Sequence, residues 1–419
     1  MATLVGIKRT NSVSTHNARI ALLVSFLSEL TFILPIWLLY GTEQLGLSVG
    51  LTITLFMVIW LGSGVLEIPT GALADRLGRK KMYLIGVALL ATYPLVYLAE
   101  SPVLIILAIS LVAALGSALR SGTLVPIVHD SYKKEGRPDT QYHAFLSNEK
   151  VVLFIGRTVA SITGGLLYAH NPHFPYIAMM FVYAAMFAAG IFMIDTTERS
   201  NLSQFKHIGT AIRAMRKSHP IVMLVGCYLG IQFVAEAIWT AFQPFFNDDG
   251  LSPGVIGAVF SAMALLSALG SYGVRHLMKR MGPLRIQVIV CWLMSVSAVM
   301  TLLPFTPLHV MAVAPIAIAF GLTIVPLTAT VQKYVASRFH STALSVIGLL
   351  QYGVYGVGSI FIGFMIDWLG VDGARQLLCI EALAVTAGLL VYYALHRAED
   401  TIISSDKTDA NSLAESPAA

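Results

Sequence analysis

The sequence predicts an all-α integral membrane protein of twelve spanning helices, arranged as two six-helix halves with both termini cytoplasmic. Three observations carry that prediction: the hydropathy, the placement of Lys and Arg, and an internal repeat. Of 419 residues, 56% are hydrophobic and 12% charged, against about a quarter charged in a soluble domain. The mean hydropathy is +0.76.

A helix rises about 1.5 Å per residue, so about 20 apolar residues cross a hydrocarbon core of about 30 Å. Such stretches lie at about 19–41, 51–72, 82–99, 103–127, 145–168, 175–194, 220–245, 254–274, 286–304, 309–331, 343–366 and 376–395. Helices are expected because lipid offers no partner to backbone polar groups, and barrel strands would alternate over about ten residues. Cys227, Cys291 and Cys379 fall inside these stretches without metal-ligand spacing; they read as packing residues. The opening MATLVGIKRTNSVSTHNAR is too polar for a signal peptide.

Short cytoplasmic loops concentrate Lys and Arg. In this topology one side receives Lys8 to Arg19, Arg76 to Lys81, Lys133 to Arg137, Arg199 to Lys217, Arg275 to Arg285, Lys333 and Arg338, and the opposite side Arg375. The net charge of +5 is thereby assigned to orientation and to anionic lipid heads, not to nucleic acid. Gly46, Leu47, Ser48 and Gly50 recur at an offset of 204 as Gly250, Leu251, Ser252 and Gly254. At an offset of 198, Leu146, Ser147 and Gly165 recur as Leu344, Ser345 and Gly363. The expected organisation is a bundle over 1–195, a cytoplasmic linker over 196–219 with an amphipathic helix, a second bundle over 220–397 and a disordered tail over 398–419. The linker helix groups Phe205, Ile208, Ile212 and Met215 on one face.

Between the second and third stretches stands GALADRLGRKK, Gly71 to Lys81, which closely resembles the signature loop of the major facilitator superfamily. Physically, Gly71 would let two helices approach closely, Gly78 would allow a tight turn, and Arg76 with its basic neighbours would hold the loop inside. The resemblance implies a two-bundle fold working by alternating access, with a cytoplasmic latch. In that latch Asp75 would face the amino-terminal end of helix 11, and Arg79 would pair with Asp130. Glu67, in GVLEIPTG, is expected at the same gate, with Pro69 breaking the helix. The second-half counterpart MKRMGPLR has Lys279 in place of the acid, and GFMIDWLG, Gly363 to Gly370, resembles the signature superficially. Drug:proton antiporters of this superfamily carry a helix 5 motif with which GRTVASITGG agrees at Gly156, Gly164 and Gly165 but departs at Ala160 and Ser161, and Ser110 stands where they carry an arginine.

Each charge near the midplane costs about 2.5–3.5 kcal/mol on insertion scales, so such residues face a cavity or one another. Glu29, Glu236, Arg157 and Arg120 are the expected proton-coupling residues, with permanent packing ion pairs as the competing role. Tyr228, Gln232, Glu236, Trp239 and Gln243 share one helical face. With Trp37, Gln351, Tyr352 and Tyr355 they are the expected substrate contacts, and Arg375 is expected to pair with Glu381. The chain has no P-loop, H-E-x-x-H or G-x-S-x-G motif, so no enzyme, cofactor or metal is expected. The expected function is proton-coupled efflux of a small drug-like or amphipathic metabolite by a monomeric, multi-pass transporter of the inner (plasma) membrane. A facilitator or proton symporter for a sugar-like solute is the alternative, and a non-transporting sensor or scaffold a third class.

Overall fold

The structure is a computed structural model that describes residues 12–197, 219–334 and 340–405. Every regular element among them is helical. The amphipathic linker helix expected at 205–215 lies outside the described residues.

Helix α1, Val13–Glu29, starts where the Ser12 side chain accepts from the Thr15 amide. It stops well short of residue 41, because Pro35 lacks an amide hydrogen and its ring collides with the carbonyl four residues back. The chain then crosses 30–36 through tight turns, Thr31 bonding Glu29 and Leu34 bonding Thr31. It resumes as α2, Trp37–Leu39, and a π-helical turn, Tyr40–Gln44. α3, Val49–Leu77, runs unbroken through Pro69, which corrects the expected break. The neighbouring Thr70 hydroxyl bonds the Leu66 carbonyl at 2.8 Å and the Ala118 carbonyl of the next helix pair at 3.1 Å, so packing holds the turn that proline weakens.

The first half continues with α4, Arg79–Leu90, α5, Thr92–Leu98, α6, Val103–Arg120, α7, Leu124–Lys134, α8, Asp139–His170, and α9, Phe174–Ile191. The second comprises α10, His219–Asp248, α11, Pro253–Leu277, α12, Pro283–Met300, α13, Thr306–Met311, α14, Val313–Tyr334, and α15, His340–Ser405. α15 turns at Gly370, whose φ of 74° favours glycine. Its second arm runs antiparallel to α12, since Ser295 bonds Ala382 while Arg285 bonds Tyr393. The helix reaches Ser405, so residues 398–405 are helical where a disordered tail was expected. Among the described residues ten helices are long and apolar enough to cross a membrane. The broken α1–α2 stretch is not among them, and α15 beyond Val346 counts once.

The two halves meet along α3 with α15 and α8 with α11. Glycines sit at both crossings: a Cβ on Gly363 would come within 3.0 Å of the Gly50 Cα, and one on Gly257 within 3.1 Å of the Gly165 Cα. Such pairs let backbones approach where lipid gives no hydrophobic drive. Arg375 does not pair with Glu381 as expected. Its guanidinium reaches Asp249 at 2.7 Å, which also takes His309 Nδ1 at 2.6 Å, while Glu381 Oε2 is buried without a partner. Asp249 ends the turn after α10 and meets Arg375 head-on, whereas Glu381 lies nearly two helical turns further along α15.

Candidate functional site

Irregular backbone at membrane depth is tolerated where protein buries it or where it lines a cavity, and the break after α1 does both. Thr31, Ile33 and Leu34 line a cavity with Glu29, Phe56, Trp60, Tyr93, Arg120, Arg157 and Tyr183. A second cavity shares Ser28, Glu29, Trp60, Ser117 and Arg120 with it and extends to the exposed Glu67 and Gly122. Nearly all of this wall comes from the first half; Tyr352 contributes from the second.

The charges in the wall are organised. Arg157 donates from Nε and Nη2 to Glu29 Oε2, each at 2.8 Å. The Arg157 side chain is 49% exposed and that of Glu29 19%, so the pair stands at the cavity surface and not in the packing behind it. It is set by the seating of α1 on α8, where Gly156 and Gly164 lie against the Phe26 and Phe32 carbonyls. Glu67 accepts from the Ser121 hydroxyl at 2.6 Å. Glu149 accepts from Ser25 at 3.2 Å and is itself buried. Glu149 is a cavity-lining residue that the apolar stretch at 145–168 places near a helix end, whereas the helix begins at Asp139 and carries it ten residues in. The signal present was Glu149, Leu153 and Arg157 at intervals of four, one face of a helix.

The structure brings Glu29 and Arg157 together as an ion pair, while Arg120 lines both cavities without pairing to Glu29. Glu236 lines neither cavity and makes no hydrogen bond or ion pair among the described residues. The α10 stripe is corrected as a substrate face. Gln243 spans the halves, its amide donating to the Leu34 carbonyl at 2.8 Å and its oxygen accepting from the Leu38 amide at 3.3 Å. Those are the backbone groups that the break in α1 leaves unpaired, so Gln243 completes the broken helix. Tyr228 and Gln232 are buried in packing, and Gln351 lines neither cavity. Trp37 stacks on Phe56 with ring centres 4.2 Å apart, and Trp239 meets Phe260 and Phe320 edge-on. With Gln243 and Tyr355 they enclose a far smaller void. Of the expected substrate contacts, Tyr352 reaches the larger space, its ring 6.4 Å from Trp60.

Call the end of the bundle bearing the Lys- and Arg-rich loops the basic end. At the opposite, far end, Asp367 of α15 accepts from the amides of Val49 at 2.9 Å and Gly50 at 2.8 Å, the first turn of α3. Gln243, near the close of α10, ties the halves at the same end. Ser261 of α11 ties them nearer mid-depth, donating to the Thr158 carbonyl beside Arg157 at 2.8 Å. At the basic end Arg79 pairs with Asp130 within the first half, and Gly78 turns the chain with a φ of 100°. Arg76 is exposed, and the Asp75 side chain lies outside the described ones. Gly71 is corrected: a Cβ there would meet nothing within 4 Å, so no close helix approach requires it in this arrangement.

The model of the Major Facilitator Superfamily matches residues 20–359. The chain belongs to the Major Facilitator Superfamily. It is 25% identical over 250 residues to the uncharacterized MFS-type transporter YxaM of Bacillus subtilis strain 168, covering 54% of this chain and 57% of that protein. The match thus spans a little over half of the relative's length. In fold the chain is similar to the nucleoside transporter NupG, with a TM-score of 0.74 at 14% identity over 91% of this chain and 99% of that one. A bacterial homolog of the human lysosomal transporter Spinster, in an inward-facing and unoccupied conformation, has a TM-score of 0.70 at 14% identity, over 94% and 98% of the two chains. Superfamily membership makes the chain a membrane transporter and not an enzyme, and the intact signature loop now sits where that membership requires it, between α3 and α4.

Proposed function

We propose that this superfamily member is a proton-coupled secondary transporter that exports a small amphipathic molecule across the inner (plasma) membrane. Twelve passes, cytoplasmic termini and two six-helix halves alternate access to the cavities beside α1. The observation that carries the reading is the Glu29–Arg157 pair at the cavity surface. A carboxylate that can trade its arginine partner for a proton within reach of substrate is the minimum device for coupling the two. The aromatic rings of Phe56, Trp60, Tyr93 and Tyr183 suit the apolar part of an amphipathic cargo. The ties at the far end, with cavities reaching exposed residues near the basic end, support an inward-open state.

The test is flux in proteoliposomes under an imposed pH gradient, using compounds from a transport screen. The gradient is expected to accelerate flux in the wild type and in Glu236→Gln. In Glu29→Gln the acceleration is lost, while exchange at equal pH continues. Flux indifferent to the gradient in the wild type, or an unchanged response in Glu29→Gln, overturns the reading.

A further inference from the structure

Five charged side chains line the two cavities: Glu29, Glu67, Arg120, Glu149 and Arg157. Four have partners, Glu29 and Arg157 in each other, Glu67 in Ser121 and Glu149 in Ser25. The Arg120 side chain makes no hydrogen bond or ion pair among the described residues, and its Nε is buried without a partner. The Arg120 side chain is half-buried, and a guanidinium with one nitrogen closed off and its other donors facing a cavity is held short of the partners that a buried charge needs. Its backbone has little room to move away, since Gly86 of α4 lies directly against it; a Cβ on Gly86 would stand 2.8 Å from the Arg120 nitrogen.

We propose that Arg120 anchors an acidic group of the transported molecule, so that the substrate class is a small organic acid with an apolar or aromatic body. This deepens the transport reading above and rests on it. The planar guanidinium fork matches a carboxylate or phosphate, and its charge-assisted bonds supply the partner the chain withholds. Ser117, one turn before Arg120 on α6, accepts from Ser63 at 3.1 Å, which leaves the Ser117 proton free to donate to the same anion. Trp60 borders both cavities beside Arg120, and Phe56, Tyr93 and Tyr183 continue the aromatic wall upward. The acid therefore docks at the junction of the two cavities with its apolar body in the one lined by Phe56, Tyr93 and Tyr183. Arg157 is not the anchor, because Glu29 already occupies its fork. The separation leaves Glu29 to exchange a proton while Arg120 keeps the cargo.

The experiment uses the full-length purified protein in detergent and three acid–neutral pairs: benzoate with benzamide, phenyl phosphate with phenol, and indole-3-acetate with indole-3-acetamide. Binding is read as a shift of the thermal unfolding midpoint and as quenching of tryptophan fluorescence. At least one acid is expected to bind about tenfold or more tightly than its neutral partner, as a charge-assisted pair requires. Arg120→Gln abolishes that preference, and Arg120→Lys, which retains the charge but not the fork, recovers part of it. Glu67→Gln is the control for a carboxylate of the chain itself serving as partner: binding tightens or holds if Arg120 awaits a ligand. The proposal is overturned if acids and neutral partners bind alike, if the preference survives Arg120→Gln, or if Glu67→Gln removes it. Should Arg120→Gln not fold, the Lys variant and the acid–neutral comparison decide alone. Proton coupling fails separately, if wild-type flux ignores the pH gradient while the wild type still prefers acids to their neutral partners.

Discussion

Asp367 offers the sharpest handle on the closed far end. Its carboxylate caps the first turn of the 29-residue α3 from across the interface. Replacing it with Asn keeps one acceptor oxygen but removes the charge. The lost interaction with the helix terminus is worth about 0.3–1 kcal/mol, and one lost hydrogen bond about 0.5–1.5 kcal/mol. Asp367 is exposed, so we take the lower halves of both ranges, about 0.8–1.6 kcal/mol together. That magnitude moves a two-state equilibrium by about 4–15-fold. The assay is the distance between spin labels on Cys introduced at the exposed Glu100 and Gln376, with Cys227, Cys291 and Cys379 replaced by Ala. Asp367→Asn is expected to raise the long-distance, outward-open population by that factor. Gly50→Ala should act in the same direction for a steric reason, because its Cβ would lie 2.7 Å from both Asp367 Oδ2 and the Phe364 ring. Unchanged distance distributions in both variants, with wild-type unfolding midpoints, would refute the latch.

Gln243→Leu keeps the volume but strips both bonds from the broken α1; about 1–3 kcal/mol of interface stability should go, read as greater labelling of a Cys at the exposed Asn247. Asp249→Ala strips His309 Nδ1 of its acceptor and leaves Arg375 with Asp372 and the more distant Asp248, at a cost of about 1–3 kcal/mol, and a midpoint within error of wild type would refute a structural role for the cluster. Burial alone would raise the Glu135 carboxyl, but the Ser14 hydroxyl and amide, then Arg137 and Ser12, hold it below its ordinary 4.5. A depressed carboxyl contributes stability above that ordinary value and loses it as pH falls through the depressed one. The difference in hydrogen-exchange protection of the α1 start between wild type and Glu135→Gln should therefore be present at neutral pH and vanish in acid.

The spans were legible because length and hydropathy are local properties set by the bilayer, and the Arg79–Asp130 pair because the family resemblance implied it. What a polar side chain on a spanning helix faces was not. A helix in lipid is apolar toward neighbours and membrane alike, so the α10 stripe gave no hint whether it turned toward a cavity or toward an unpaired backbone. Gln243 does the second, and its partners lie more than 200 residues away. Two prolines make the same point from opposite outcomes. Pro69 sits in a helix packed by α6 and α15 and leaves it continuous, whereas Pro35 coincides with a break whose loose groups Gln243 collects. Local sequence specifies the weakness in both; the fold decides where it is used.

The use at Pro35 bears on Glu29. Because the helix stops there, Glu29 becomes the last residue of α1, where the exposed carbonyl end of the helix opposes a negative charge. Two donors of Arg157 offset that opposition, and they belong to α8, the helix that packs against α11 of the other half. Any motion of the halves that draws α8 away from α1 removes the offset while the helix end remains. The charge on Glu29 must then be met by a proton or by another cation. On the proposed mechanism the break in α1 thus ties the protonation of one carboxylate to the position of the interface between the halves, while Glu236 of the second half stands apart from both cavities.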